Sequence, residues 1–260
     1  MLSQPLGCCR RGALRLAQLP GPSSCHPARQ AGRLPQPQRE GTRMDLLDKI
    51  DALIEEKHLL RHSFYTKWVA GTLPKEAMQE YSRQYYAFES TFPRFLSGIH
   101  ARTESPQARQ ALLENLWDEE HGETNHPEMW IRFAEGMGVA RDDVKRAGRN
   151  DATTYLVETY FDASTKAPVA AGVAALYAYE AQVPQVAQAK IDGLKQHYDI
   201  ADGRTLGFFQ THASLDIEHS NAERALIEEF GAGHEDEVLA STAEALDAWW
   251  SFLDAVDPTE

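Results

Sequence analysis

The chain has 260 residues, 42% hydrophobic and 25% charged, with a formal net charge of −13, enough to bury a sizeable core in one large or two small globular domains. No apolar run approaches the roughly 18 residues that a membrane span requires, and an acidic chain is a poor partner for phosphate backbones, so neither a membrane nor a nucleic-acid partner is expected. All three cysteines, Cys8, Cys9 and Cys25, lie near the N-terminus, which excludes a thiol nucleophile, a disulfide framework and a thiolate metal site from the rest of the chain.

Residues 1–43 carry seven arginines and one glutamate, a net +6 that leaves the remainder at −19. This Pro-, Gly-, Arg- and Gln-rich stretch has no sustained apolar period and is expected to be a disordered basic leader. Its arginines would suit a transit peptide, but its prolines oppose a long amphipathic helix. A start assigned upstream of Met44 is the simpler reading.

From Met44 onward, helical periodicity is almost unbroken. In MDLLDKIDALIEEKHLL, Leu46, Leu47, Ile50, Leu53 and Ile54 form one stripe, which Phe64, Tyr65 and Trp68 continue. Gly71 should stop this helix and Thr72 cap the next, with Pro74 in its first turn and Glu76 placed for early-turn charge. That second helix reaches about Thr103, with a kink at Pro93. A third covers about 106–126, and Pro127 opens a short fourth ending near Gly136–Gly138. Further helices are expected at about 151–165, at 168–197 with a kink at Pro184, at 204–230 and at 234–255. No alternating strand pattern intervenes. The expectation is an all-α bundle of seven or eight helices, forming one domain over 44–260.

HASLDIEH, residues 212–219, places His212, Asp216 and His219 at i, i+4 and i+7, which is one face of a helix. Imidazole and carboxylate suit first-row metals such as iron, manganese and zinc. The bland alternative is a solvated face. In NLWDEEHGETNHPEMW, Glu119 and His126 are seven residues apart, again two turns on one face, although Pro127 disfavours regular helix geometry at His126. Glu123 offers an alternative Glu-x-x-His pair of the type found in ferritin-like bundles. In AAGVAALYAYEAQVPQVA, Glu180 is a lone carboxylate in an apolar helix, costly to bury unless paired, hydrogen-bonded or metal-bound. Three imidazoles and three carboxylates against two divalent cations leave a net +1, easily balanced by hydroxide or oxo groups, so two metals fit better than one. A second site at Glu55, His58 and His62 is conceivable, with capping or core hydrogen bonding the preferred reading.

Across residues 44–256, the stretches MDLLDKIDALIEEKHLL, HSFYTKW, NLWDEEHGETNH, AAGVAALYAYEAQVPQVA and HASLDIEHSNAERALIE resemble the family of the Chlamydia protein associating with death domains. That family belongs to the haem-oxygenase-like group with pyrroloquinoline-quinone synthase and the thiaminase-like TenA proteins. The resemblance implies a haem-oxygenase-like fold and a dinuclear centre, di-iron or iron–manganese, with ligands at Glu119, His126, Glu180, His212, Asp216 and His219. It also implies O2-dependent, self-sacrificing synthesis of para-aminobenzoate for folate. In that reaction Tyr65 supplies the aromatic ring, Lys190 the amino group, and Tyr81 and Tyr179 assist. A cytoplasmic homodimer using an external reductant is the expected state.

Two rival readings stand beside this one. An oxidase with the same metals could act on an external fatty or amino acid. A non-enzymatic partner of death-domain proteins could bind through the acidic surface, although net charge usually only keeps a protein soluble. A metal-free quinone-synthase-like oxidase is disfavoured by the filled ligand set, and a thiaminase by the cysteine-free body.

Overall fold

Proline and turn positions divide the apolar stretches of this chain into more helices than their periodicity alone implies. The computed structural model describes residues 45–257; the expected leader, 1–43, lies outside the described residues. The helices are α1 Leu46–Glu56, α2 Ser63–Ala70, α3 Lys75–Glu89, α4 Phe92–Arg102, α5 Pro106–Glu120, α6 His126–Gly136, α7 Arg141–Arg146, α8 Asp151–Thr165, α9 Val169–Glu180, α10 Val183–His197, α11 Gly203–Phe230 and α12 Glu235–Val256. One 3-10 turn, Leu59–Arg61, joins α1 to α2, and no strand occurs among the described residues.

The all-α expectation holds, and three of the long expected segments are each cut in two. The first breaks after Glu56, where Nδ1 of His58 accepts from Leu60 N at 3.2 Å and Nδ1 of His62 accepts from Phe64 N at 3.1 Å. These two histidines are caps, and Glu55 pairs with Arg61 instead of joining them. Thr72 does not cap the next helix: Pro74 takes the N-cap position without a side-chain bond, and the Thr72 hydroxyl donates backwards to Lys67 O at 3.4 Å. The expected kinks at Pro93 and Pro184 are full breaks, at Ser90–Thr91 and Ala181–Gln182. Each proline then sits in the first turn of the following helix, where its missing N–H costs nothing. The segment expected over 106–126 ends at Glu120, and α7 was not anticipated.

Helix α9 is the spine. Every residue from Ala170 to Glu180 is buried, as an apolar helix without a polar face must be, and α4, α8, α11 and α12 pack around it. Its alanines let these neighbours approach closely. Beside it, α3 contributes Tyr81, Tyr85 and Phe88 to an aromatic interior shared with Trp130, Phe208 and Trp249. Trp249 stacks on Tyr179 with centroids 4.4 Å apart and donates from Nε1 to the Tyr160 hydroxyl at 2.9 Å. Helix α10 lies against α2, where Trp68 Nε1 donates to Lys190 O at 3.3 Å.

That α2–α10 contact depends on Gly193, where an added Cβ would lie 2.7 Å from Trp68 Cδ1 and 3.1 Å from Trp68 O. Gly193→Ala is expected to cost about 1–3 kcal/mol through overpacking, read as a lower urea midpoint at an unchanged slope.

Candidate metal centre

Helix α11 begins at an Asp202 cap, whose Oδ1 accepts from Thr205 N at 2.9 Å, and runs for 28 residues without a break. It carries His212, Asp216 and His219 on one buried face, while Ile217 and Glu218 point to solvent. The solvated-face alternative is therefore ruled out for these three. Glu180 ends α9 and is buried, with Asn115 Nδ2 donating to its two oxygens at 3.2 and 3.3 Å.

Glu119 and His126 do meet, though not by the expected route. A turn over residues 121–125 separates them, with Gly122 at φ +87°, a left-handed conformation suited to glycine. Asn125 caps α6 by accepting from Glu128 N at 3.1 Å, and His126 is the first residue of that helix. The turn, and not a two-turn helical spacing, brings His126 Nδ1 to 2.9 Å from Glu119 Oε2. Glu123 is exposed in this turn and does not take Glu119's place.

Two clusters of potential ligand atoms result. Glu89, His126 and His212 offer atoms within 4.8 Å of one another, and so do Glu180, Asp216 and His219. Glu119 touches the first cluster through His126 and presses electrostatically on Glu180 of the second. Glu89, the last residue of α3, is absent from the expected set. It could have been found by the criterion that singled out Glu180, because Tyr81, Tyr85 and Glu89 are spaced i, i+4, i+8 and put a lone carboxylate at the end of an aromatic stripe.

The buried polar atoms of these clusters test whether metal ions fit. Glu89 Oε1, Glu119 Oε2, His126 Nδ1, Asp216 Oδ1 and His219 Nδ1 have no hydrogen-bond partner, although buried polar groups are almost always satisfied. The 2.9 Å between Glu119 Oε2 and His126 Nδ1 matches two ligands at right angles on one ion, since bonds of about 2.1 Å then end about 3 Å apart. A set of hard oxygen and imidazole nitrogen donors suits divalent first-row cations.

Neighbouring groups fix which nitrogen faces inward. A carbonyl can only accept, so His212 Nδ1 carries the proton donated to Phe208 O at 2.8 Å, which leaves Nε2 bare. His219 Nε2 donates to Asp118 Oδ2 at 3.3 Å, turning Nδ1 towards Glu180 and Asp216. Burial holds His126 and His212 below the ordinary histidine range, hence neutral. Burial and then Glu119 push Glu89 up to about 8. Burial and then Glu180 raise Glu119 and Asp216 well above the carboxylate range. For His219, burial acts downward but the Glu180 carboxylate outweighs it and holds the ring up to about 9. So many carboxylates cannot all ionise together unless cations neutralise them.

Tyr65, Tyr81, Tyr179 and Lys190 are all buried. Lys190 Nζ donates to the Tyr81 hydroxyl at 2.7 Å and lies 5.3 Å from the Tyr65 ring centre and 5.1 Å from that of Tyr81. The Tyr65 and Tyr81 hydroxyls are 3.4 Å apart. Burial brings the Lys190 ammonium down to about 7, opposed by Glu89. Tyr179 is hydrogen-bonded at 2.6 Å to Tyr85, which sequence reasoning missed and which lies one turn before Glu89.

A helical bundle with buried carboxylate and imidazole clusters beside oxidisable phenols defines a metal-dependent redox protein. The family model described as "Iron-containing redox enzyme" matches residues 79–250, and the chain belongs to this haem-oxygenase-like family of enzymes. It is 41% identical over 219 residues to the 4-aminobenzoate synthase of Nitrosomonas europaea, covering 80% of this chain and 89% of that protein. It is 39% identical over 212 residues to the 4-aminobenzoate synthase of Chlamydia muridarum, covering 82% and 90%. Among solved structures, a TenA homologue from Pseudomonas syringae pv. tomato superposes with a TM-score of 0.70 at 16% identity, covering 81% of this chain and 90% of that one. The expected family and fold both hold. No helix among the described residues is long and apolar enough to cross a membrane.

Two outcomes follow from this geometry. Asp118→Ala should weaken Mn(II) binding about 10–100-fold by freeing the His219 ring, measured by titrating the metal-free protein. Glu89, Glu119 and Asp216 hold protons at pH 7 in the metal-free protein, whereas His126 and His212 are already neutral. Mn(II) binding at pH 7 should therefore release protons and tighten from pH 6 to 8. Calorimetry in two buffers of different ionisation enthalpy reads the release directly.

Proposed function

We propose that the protein makes 4-aminobenzoate from its own tyrosine, with Tyr65 as the ring donor, Lys190 as the amino donor, and Tyr81 and Tyr179 assisting. The metal centre would be held by Glu119, His126, Glu180, His212, Asp216 and His219, joined by Glu89. One observation carries this reading. A buried lysine amine lies 5.3 Å from the Tyr65 ring centre, in the same core as seven oxygen and nitrogen donors. The names of the relatives, 4-aminobenzoate synthases at 39–41% identity, support it.

The product's atoms fit a tyrosine source. Tyrosine carries its hydroxyl and its Cβ para to one another, and 4-aminobenzoate carries its amino and carboxyl groups para. The six ring carbons are kept, Cβ becomes the carboxyl carbon once the Cα–Cβ bond breaks, and the Lys190 nitrogen takes the place of the phenol oxygen once its Cε–Nζ bond breaks. When bound, two iron ions or an iron–manganese pair would supply the reduction of O2 that draws electrons from the ring.

The chain's own groups perform the remaining tasks. Burial keeps Lys190 near neutrality at about 7, and nitrogen attacks carbon only as the free amine. Tyr81 holds Nζ in place through the 2.7 Å bond and its own hydroxyl near that of Tyr65. Tyr85 and Tyr179 form a second hydroxyl pair between this lysine and the donor clusters. Burial raises all four phenols, so they stay protonated until oxidised. The cavity that reaches His219 measures about 120 Å³, below the roughly 300 Å³ of small-molecule pockets, too small for an organic substrate beside the second donor cluster. A cytoplasmic homodimer drawing electrons from an external reductant completes the proposal.

Metal-loaded protein given O2 and a reductant, with no aromatic precursor, should yield less than one 4-aminobenzoate per chain, and intact mass should change by losses that map to Tyr65 and Lys190. Tyr65→Phe and Lys190→Arg should each abolish the product. Many turnovers on an added small molecule would favour the external-substrate oxidase instead.

A further inference from the structure

Between α5 and α11, beside the donor clusters, lies the cavity of about 120 Å³ whose polar lining is Glu114, Asn115, Asp118, Glu218, His219 and Glu223. No lysine or arginine lines it. The imidazole of His219 has its Nε2 turned to Asp118.

Glu223 extends the α11 stripe of His212, Asp216 and His219 by one further turn, at offsets of 0, 4, 7 and 11. It is only 3% exposed, yet neither carboxylate oxygen has a hydrogen-bond partner. Asn115 faces the same cavity from α5. Its Nδ2 is engaged by Glu180, whereas its Oδ1 is also unpartnered. Two carboxyl groups, Glu223 and Glu180, are thus pressed together on a cavity that Asn115, its Oδ1 unpartnered, also lines, an arrangement that is costly unless a proton or a cation neutralises it. Hard, oxygen-only donors match a divalent cation in transit better than an organic ligand.

The position of Glu223 says what such a cation would be doing there. Glu223 belongs to neither of the two compact donor clusters, but it bears on Glu180 and Asp216 of the second. Exposed Glu114 and Glu218 and the 40%-exposed side chain of Asp118 stand on its solvent side. Carboxylates thus run from the surface to Glu223, and from there to Glu180.

We propose that this cavity is the port through which divalent cations reach the metal centre, with Glu223 and Asn115 as the receiving site and Glu180 and His219 as the next ligands. The inference rests on the metal centre proposed above. Acidic clefts raise the capture rate of cations by about 10- to 1000-fold, so loss of the port should slow loading without changing what is finally bound.

The test is rapid mixing of metal-free full-length protein with Mn(II), following the disappearance of the free-ion paramagnetic signal, with final occupancy measured after equilibration. Glu223→Gln keeps the side chain's shape and should slow uptake about tenfold or more, with two ions still bound per chain at saturation. Ala222→Trp, which fills the cavity without touching a carboxylate, should slow uptake in the same way, and Glu244→Gln on α12 should leave it unchanged. Loading at the wild-type rate in both port variants overturns the proposal. So does a final occupancy below two in Glu223→Gln, which would make Glu223 a resident ligand. Fewer than two ions in the wild-type protein would overturn the metal centre itself, a result distinct from either.

Discussion

Negative charge concentrated away from water governs this molecule. Glu89, Glu119, Glu180, Asp216 and Glu223 are each at most 3% exposed and close enough to shift one another's ionisation. Isolated, each would be expensive to bury. Grouped with His126, His212 and His219, they form a cavity whose stability depends on positive charge, supplied by protons when the site is metal-free or by cations when it is loaded. The protons held by Glu89, Asp216 and His219 and the bare nitrogens of His126 and His212 express the same constraint.

The bundle is built to hold that charge in place. Helix α9 is apolar on every side and ends in Glu180, which is held between α5 and α11 by Asn115 and His219. The 28 residues of α11 span about 42 Å, a rigid rod that sets His212, Asp216, His219 and Glu223 in a row. Outer contacts then orient the ligands: Asp118 and Phe208 O select the inward-facing nitrogens of His219 and His212, and Asn115 steadies Glu180.

The aromatic interior plays the opposite electrostatic part. Lys190 is surrounded by the rings of Tyr65, Tyr81, Tyr85, Trp130 and Phe209 at 5.0–6.0 Å. Ring faces attract a cation, but desolvation prevails and brings its pKa to about 7. The core thus juxtaposes an amine close to neutrality, oxidisable phenols and an acidic donor cluster. A water-filled site would charge the amine and screen the carboxylates.

Local spacing was enough to establish the helical class, the inward face of His212, Asp216 and His219, and the anomaly of Glu180 in an apolar helix. Each of these lies within one helix, where 3.6 residues per turn decides which side chains are neighbours. Thr72, Glu123 and the Glu119–His126 pair show where that reasoning stops. A helix boundary depends on a few φ/ψ choices that periodicity does not report, and Glu119 meets His126 through a glycine-bearing turn. Tyr65 and Lys190 were marked by family resemblance alone. Only the packing of α2, α3 and α10 placed them beside Tyr81, and only the approach of α3 to α11 put Glu89 against His212. Contacts between helices depend on how the helices cross, and a linear pattern carries no record of those angles.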